Sequence, residues 1–470
     1  MRLPPVISSR MSTDSRRRHL PRTALPFSFG LLLILGTPKA FSIDLLESYR
    51  LALQNDRQYR IVQARTKAEE EAVPQAISQL LPSISASVAR NRVDQEIESN
   101  GNVTRHPPRF PTENDALQLR QPILRLRSAF ALQQARESVK SAQADLAREK
   151  QAVGVRVAGS YFEALFARDK LALLSAQQRN IQARLIAAQR ALDAGTGVRT
   201  DIDEARAQLD KLRAQEIGIF QNIRVTTAQL EVLLGRGIDS VLPIDVSRMT
   251  PEVFDPGEID PLLELAMEKS PDIIARAADM AASRANIKAA KADHMPTLDF
   301  VASYNRSLSD NPFFPGQQVT SNAYGIQLNI PIYLGGLTQS RVREAVAQSE
   351  ETQERYFNSL NTAQVQVRKE FMTVQQGIAQ FRAFQQALLS AEQAVLSNQK
   401  GVLAGTRTSL DVLLVEQQRY QVELDFAQSR YEMLSAWVRL NSLIGTMDEA
   451  EFERLNQLLA TAQAQPAEIR

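Results

Sequence analysis

Beyond its first forty or so residues the chain is written twice. Ala52 and Pro82 are matched by Ala266 and Pro296 at an offset of 214, and Pro122 by Pro331 at 209. Gly195-Thr196 followed by Asp201 returns as Gly405-Thr406 followed by Asp411, and Leu230, Leu233 and Gly235 return as Leu440, Leu443 and Gly445, all at 210. Fixed order at a nearly constant offset is the signature of a duplicated unit of about 200 residues, so both halves should share one architecture. The repeats are placed at 43–240 and 258–447, with a linker over 241–257 and a tail over 448–470.

Within each half the hydrophobic period changes twice. Residues 44–80 and 260–294 are rich in Ala, Glu, Gln, Arg and Leu and lack interior glycine, which favours helix. Each run ends at a proline, Pro82 or Pro296. Beyond Pro82, Ile84, Ala86 and Val88 alternate with serines; beyond Pro296, Leu298, Phe300, Ala302 and Tyr304 alternate with polar residues. The partner strands run up to Pro122 and Pro331, so the expected strands are 83–93, 114–124, 297–306 and 322–334, with polar loops over 94–113 and 307–321. From 126 to 193 there is no proline, and a helix over that span would be about 100 Å long. Leu132, Ala135, Val139, Ala142 and Leu146 step by three and four, as a coiled coil requires, and 339–404 repeats the pattern. The expected fold class is mainly α with a small β part: a duplicated unit of helix, strand, strand, long helix, helix.

The N-terminus reads as an export signal. Arg16, Arg17, Arg18 and Arg22 precede an apolar run from Ala24 to Gly36, too short to span a bilayer, and Ala40-Phe41-Ser42 offers a small-x-small cleavage site. Residues 1–42 hold seven basic side chains and one acidic one, so their removal takes the net charge from +2 to −4. Nothing in that balance calls for nucleic acid. Cysteine is absent, which excludes disulfides, thiolate metal sites, cysteine nucleophiles and a lipidated N-terminal cysteine. The three histidines, His19, His106 and His294, have no ligand spacing, and no phosphate loop or nucleophile motif occurs. No enzyme activity, cofactor or metal is expected.

Strands of about ten residues with one polar face have the length and pattern of tilted transmembrane strands. Four of them cannot close a barrel, and open edges are not tolerated in hydrocarbon, so the chain must assemble. Two copies give eight strands, whose interior side chains fill; three copies give twelve, which leaves room for a water-filled lumen. A homotrimer in outer-membrane lipid is therefore expected. Phe313, Phe314, Tyr304, Tyr324 and Tyr333 are candidates for an interfacial aromatic girdle.

Four stretches make the chain resemble the TolC family of outer-membrane efflux proteins over essentially all of its length after the signal. They are His294-Met295-Pro296-Thr297-Leu298-Asp299, Pro331-Ile332-Tyr333-Leu334-Gly335-Gly336, Gly405-Thr406-Arg407-Thr408 with Asp411-Val412-Leu413, and Leu440-Asn441 with Leu443-Ile444-Gly445-Thr446. The resemblance implies a trimeric twelve-stranded barrel in the outer membrane, continuous with a periplasmic α-helical tunnel. It also implies a passive exit duct for proteins or small toxic molecules, served by a periplasmic adaptor and an inner-membrane ABC or proton-driven transporter. By the same resemblance Gly195, Thr196, Gly405 and Thr406 mark two hairpin tips that meet the adaptor. Arg407 would link to Thr200 and Asp201 of a neighbouring helix pair to close the periplasmic end, and Asp411 would form an acidic ring. Leu414 stands where the family's best-known pattern has a second aspartate, so one acidic ring beside an apolar collar is expected. The other reading of the same residues is a soluble periplasmic coiled-coil adaptor or scaffold, its strands forming a small sheet.

Overall fold

The computed structural model describes residues 42–94, 97–99, 102–104, 110–245, 249–311 and 314–458. Residues 1–41 of the expected signal, His106 and Phe313 lie outside them. The first half runs β1 (Ser42–Ile43), α1 (Leu45–Asn55), α2 (Arg57–Glu70), α3 (Ala72–Ser78), β2 (Ser83–Val93), β3 (Ile97–Ser99), β4 (Asn102–Thr104), β5 (Phe110–Leu124), α4 (Leu126–Asp193) and α5 (Arg199–Leu234). After β6 (Ser240–Val241), the second half runs α6 (Ile259–Lys269), α7 (Pro271–Lys291), β7 (Thr297–Asn311), β8 (Phe314–Asn329), α8 (Leu337–Leu403) and α9 (Ser409–Ile444), and then α10 (Glu449–Asn456). No described helix is long and apolar enough to cross a membrane.

The helix breaks have local causes. Asp44 caps α1 by accepting from the Glu47 N–H at 2.6 Å, and Asp56 caps α2 by accepting from the Tyr59 N–H at 2.9 Å. Each satisfies a donor that the helix itself leaves unpaired. In the second half Pro271 opens α7 at the first helical position, where its missing N–H costs nothing.

The long helices pack through small residues. Ala275, Ala278, Ala282, Ala285 and Ala289 of α7 are buried at spacings of three and four, as are Ser141 and Ala144 of the facing α4. Side chains this small let helix axes approach closely. Further along α4, Val153, Val157, Tyr161, Phe162 and Leu165 enter a larger core with Tyr49, Phe371, Val374, Phe381, Met433, Leu434 and Leu440. A second core of Leu174, Ile181, Leu209, Leu212 and Ile219 joins α4 to α5. The residues expected to form the α4 seam, such as Leu132 and Leu146, are only half-buried in a single chain.

The sheet has the order β2-β5-β7-β8, antiparallel throughout. Ile84 lies opposite Leu119, Leu119 opposite Ala302, and Ala302 opposite Tyr324; directly opposed residues share a face. Phe300 with Ile326, and Leu298 with Leu328, lie on the same face, so one side is apolar across the sheet. Val88 is 72% exposed, Tyr324 84% and Ile326 68%, an apolar surface with no cover from this chain.

Several boundaries differ from those expected of the sequence. β7 and β8 run to Asn311 and from Phe314, so most of the expected loop 307–321 is a strand hairpin. Polar residues there hide the ladder, because backbone pairing needs no apolar face. β8 stops at Asn329, before Pro331, and β5 begins at Phe110 and carries Pro122 within it beside a register shift at Leu124. The linker begins within β6, which pairs with β1, and holds a buried Phe254; the tail contains α10, whose Phe452 and Leu455 are buried.

Candidate functional site

The two tips are the turns from α4 to α5 and from α8 to α9, and they share one hydrogen-bond pattern. At the first, the Gly195 N–H donates to the Leu192 carbonyl, and the Thr196 and Gly197 N–H groups donate to the Ala191 carbonyl at 2.9 and 3.0 Å. At the second, the Gly405 N–H donates to the Val402 carbonyl, and the Thr406 and Arg407 N–H groups donate to the Gly401 carbonyl at 2.9 and 3.2 Å. Gly195 and Gly405 hold φ of +73° and +72°, the left-handed conformation that ends a helix and reverses the chain.

The helix starts beyond the two turns are unequal. Thr408 and Asp411 form a capping box: the Asp411 carboxylate accepts from the Thr408 N–H at 2.9 Å, and the Thr408 hydroxyl accepts from the Asp411 N–H at 3.2 Å. The matching position on the first tip is Val198, which has no side-chain cap to offer. Hydrogen bonds from the Thr408 backbone and hydroxyl, with help from Arg407, hold the Asp411 carboxyl below its ordinary range. That support of the helix start is full above the ordinary aspartate range and is lost as pH falls through the lowered value.

Of the expected gate residues, Asp201 alone lines a crevice between the two tips' helices. Asp201 shares a crevice of 30 Å³ with Ser409 and Leu413 of α9 and with Arg184 of α4. Thr200 and Arg407 are exposed, and Arg407 makes no ion pair with Asp201 among the described residues. Leu414 is 54% exposed and Leu410, one turn before it, is 44% exposed.

Two polar groups tie together the elements behind these positions. The buried Glu416 carboxylate of α9 accepts from Arg184 of α4 and from Gln399 of α8 at 3.3 Å, and Asn180 donates to the Tyr420 hydroxyl. Further from the tips, Asp169 accepts from the Arg430 guanidinium and the Tyr431 hydroxyl, both at 2.6 Å; burial pushes its carboxyl up against the pull of Arg430. At the base of the sheet, buried Asp299 accepts from Arg120 at 2.6 Å and Arg125 at 3.2 Å, and Asp293 pairs with Arg127. The helix phase of Glu416, one turn before Tyr420 on the buried side of α9, is the one available signal for the first group. Nothing in the sequence points to its partners.

Comparison with known proteins matches this geometry to one family. The family model described as outer membrane efflux protein matches twice, over residues 48–236 and 262–446. The proteases secretion protein PrtF of Dickeya chrysanthemi is 29% identical over 442 residues, spanning 93% of this chain and 95% of the relative. The outer membrane protein TolC of Vibrio cholerae is 27% identical over 433 residues, 89% of this chain and 94% of its own. Among solved structures, the outer membrane protein VceC of Vibrio cholerae superposes with a TM-score of 0.71 at 18% identity, over 85% of this chain and 96% of that one. The reading as a soluble adaptor gives way to that of an outer-membrane exit duct without enzymatic chemistry, and the chain belongs to the outer membrane efflux protein family.

Proposed function

We propose that three copies of this chain close a twelve-stranded barrel in outer-membrane lipid and form the exit duct of a tripartite machine that secretes proteins. The observation that carries the trimer is the sheet: β2 and β8 have no partner on their outer edges among the described residues, and one face is apolar over all four strands. Hydrocarbon does not tolerate such edges, so β8 of one copy must pair with β2 of the next. The cargo reading is supported by the likeness to PrtF, a proteases secretion protein matched along nearly its whole length. The duct receives its cargo from an inner-membrane transporter through a periplasmic adaptor, which docks at Gly195-Thr196 and Gly405-Thr406. At the periplasmic end Arg407 reaches Thr200 and Asp201 of the adjoining pair, while Asp411 and Leu414 line the constriction. Three Asp411 carboxylates brought together would push one another up, against the downward pull of the capping box.

Cross-linking checks the closure. Because the chain has no cysteine, Ser85→Cys on β2 with Gln327→Cys on β8 gives an unambiguous pair for a flexible bifunctional thiol reagent. The expected result is a ladder that stops at three chains; one that stops at two would replace the trimer by a dimer.

A further inference from the structure

We propose that Gly401 positions the Arg407 guanidinium at the second tip; this deepens the gate reading above and rests on it. The two tips match at an offset of 210, and in both the carbonyl at the first position of the turn also accepts from a threonine hydroxyl. Thr196 donates to Ala191 at 3.2 Å, and Thr406 donates to Gly401 at 3.1 Å. The residues that face each other across the turn are nevertheless exchanged: Ala191 faces Gly197, and Gly401 faces Arg407.

Space accounts for a glycine at each tip. A β-carbon on Gly197 would fall 2.8 Å from the Leu192 nitrogen and 2.9 Å from both the carbonyl carbon and the Cβ of Ala191. Carbon contacts are favourable only at about 3.5–4.0 Å, and two of these three atoms are backbone that any residue at 191 would present, so the facing position at the first tip carries no side chain. At the second tip a β-carbon on Gly401 would fall 2.7 Å from Arg407 Cγ and 3.2 Å from Arg407 Cβ. The arginine stem therefore occupies the room that glycine leaves. Cγ is set by the first side-chain torsion, which has only three staggered wells. Closing the occupied well redirects the whole side chain and carries the guanidinium to a different place.

Gly401 lies in the last turn of α8. Arg407 is exposed and has no ion pair among the described residues, so its direction is not fixed by a salt bridge to its own protomer. The steric fit with Gly401 is what remains to aim it at a neighbouring pair.

The test uses full-length oligomer in planar lipid bilayers, comparing the parent with Gly401→Ala, Arg407→Ser, the double variant and the exchange G401A/R407G. The proposal expects G401A to raise conductance as R407S does, with no further rise in the double variant and undiminished oligomer. A parental conductance in G401A beside a raised one in R407S overturns the positioning role, and so do independent effects that multiply in the double variant. An unchanged R407S removes the gate reading and this inference with it. Should G401A lose oligomer, recovery in G401A/R407G supports the steric pairing, and failure to recover overturns it.

Discussion

Replacing Phe452 by alanine is expected to cost about 3–5 kcal/mol and to leave little assembled oligomer in the outer membrane. The ring is 0% exposed and stacks on Tyr49 with centroids 4.1 Å apart and planes 10° from parallel. It enters the large core from α10, outside both matched stretches of the family model, and joins the chain's far end to its first helix. Asp448 caps α10 by accepting from the Glu451 N–H at 3.0 Å, and Glu451 accepts from the Trp437 indole at 2.7 Å, so the helix is held in place to present the ring. Removing the ring deletes a buried aromatic pair and opens a cavity that neighbours fixed on other helices cannot fill. Glu453→Ala, on the exposed side of the same helix, should stay within about 0.5 kcal/mol. Thermal dissociation of the purified oligomer reads both, and equal midpoints for the two variants would show that α10 is dispensable.

Arg407→Ser should convert a channel that is mostly closed into one that is mostly open. Each copy would lose one charge-assisted link, worth about 1.5–3 kcal/mol. Three copies lose the sum of these, which is comparable with the roughly 5.5 kcal/mol that moves a two-state equilibrium from 1:99 to 99:1. The rise should need no change in barrel assembly, since Arg407 is exposed and belongs to neither core. Single-channel recording checks this directly: long-lived open levels should dominate the variant, whereas parental traces would mean that the arginine closes nothing.

Much of the architecture is legible from spacing alone, because burial and turn chemistry leave local marks. The repeated Pro82 and Pro296 stand immediately before strands, and the glycines of both tips sit where the helices reverse. Alternation locates the apolar face through Ile84, Ala86 and Val88, whose partners Leu119, Leu117 and Asp115 cannot be paired without a register. What escapes the sequence has a physical reason in each case. Residues 307–321 look like a loop because most of their side chains are polar, and α10 looks like a tail because eight residues are too few to show a period. Of the gate, the residue types are recognisable by resemblance, but Arg407 and Asp201 do not pair in one protomer, and the proposed contact between them would belong to the assembly. The Gly401 and Arg407 fit is invisible to pattern, since a glycine in the last turn of a helix reads as an ordinary helix end.

The most direct test of the central claim compares the proteins in culture medium from a strain lacking this gene, from its parent and from the complemented strain. An exit duct for protein secretion predicts that one or a few large secreted proteins vanish from the medium and return on complementation. An unchanged set of secreted proteins would contradict it and leave small-molecule efflux as the work of the duct.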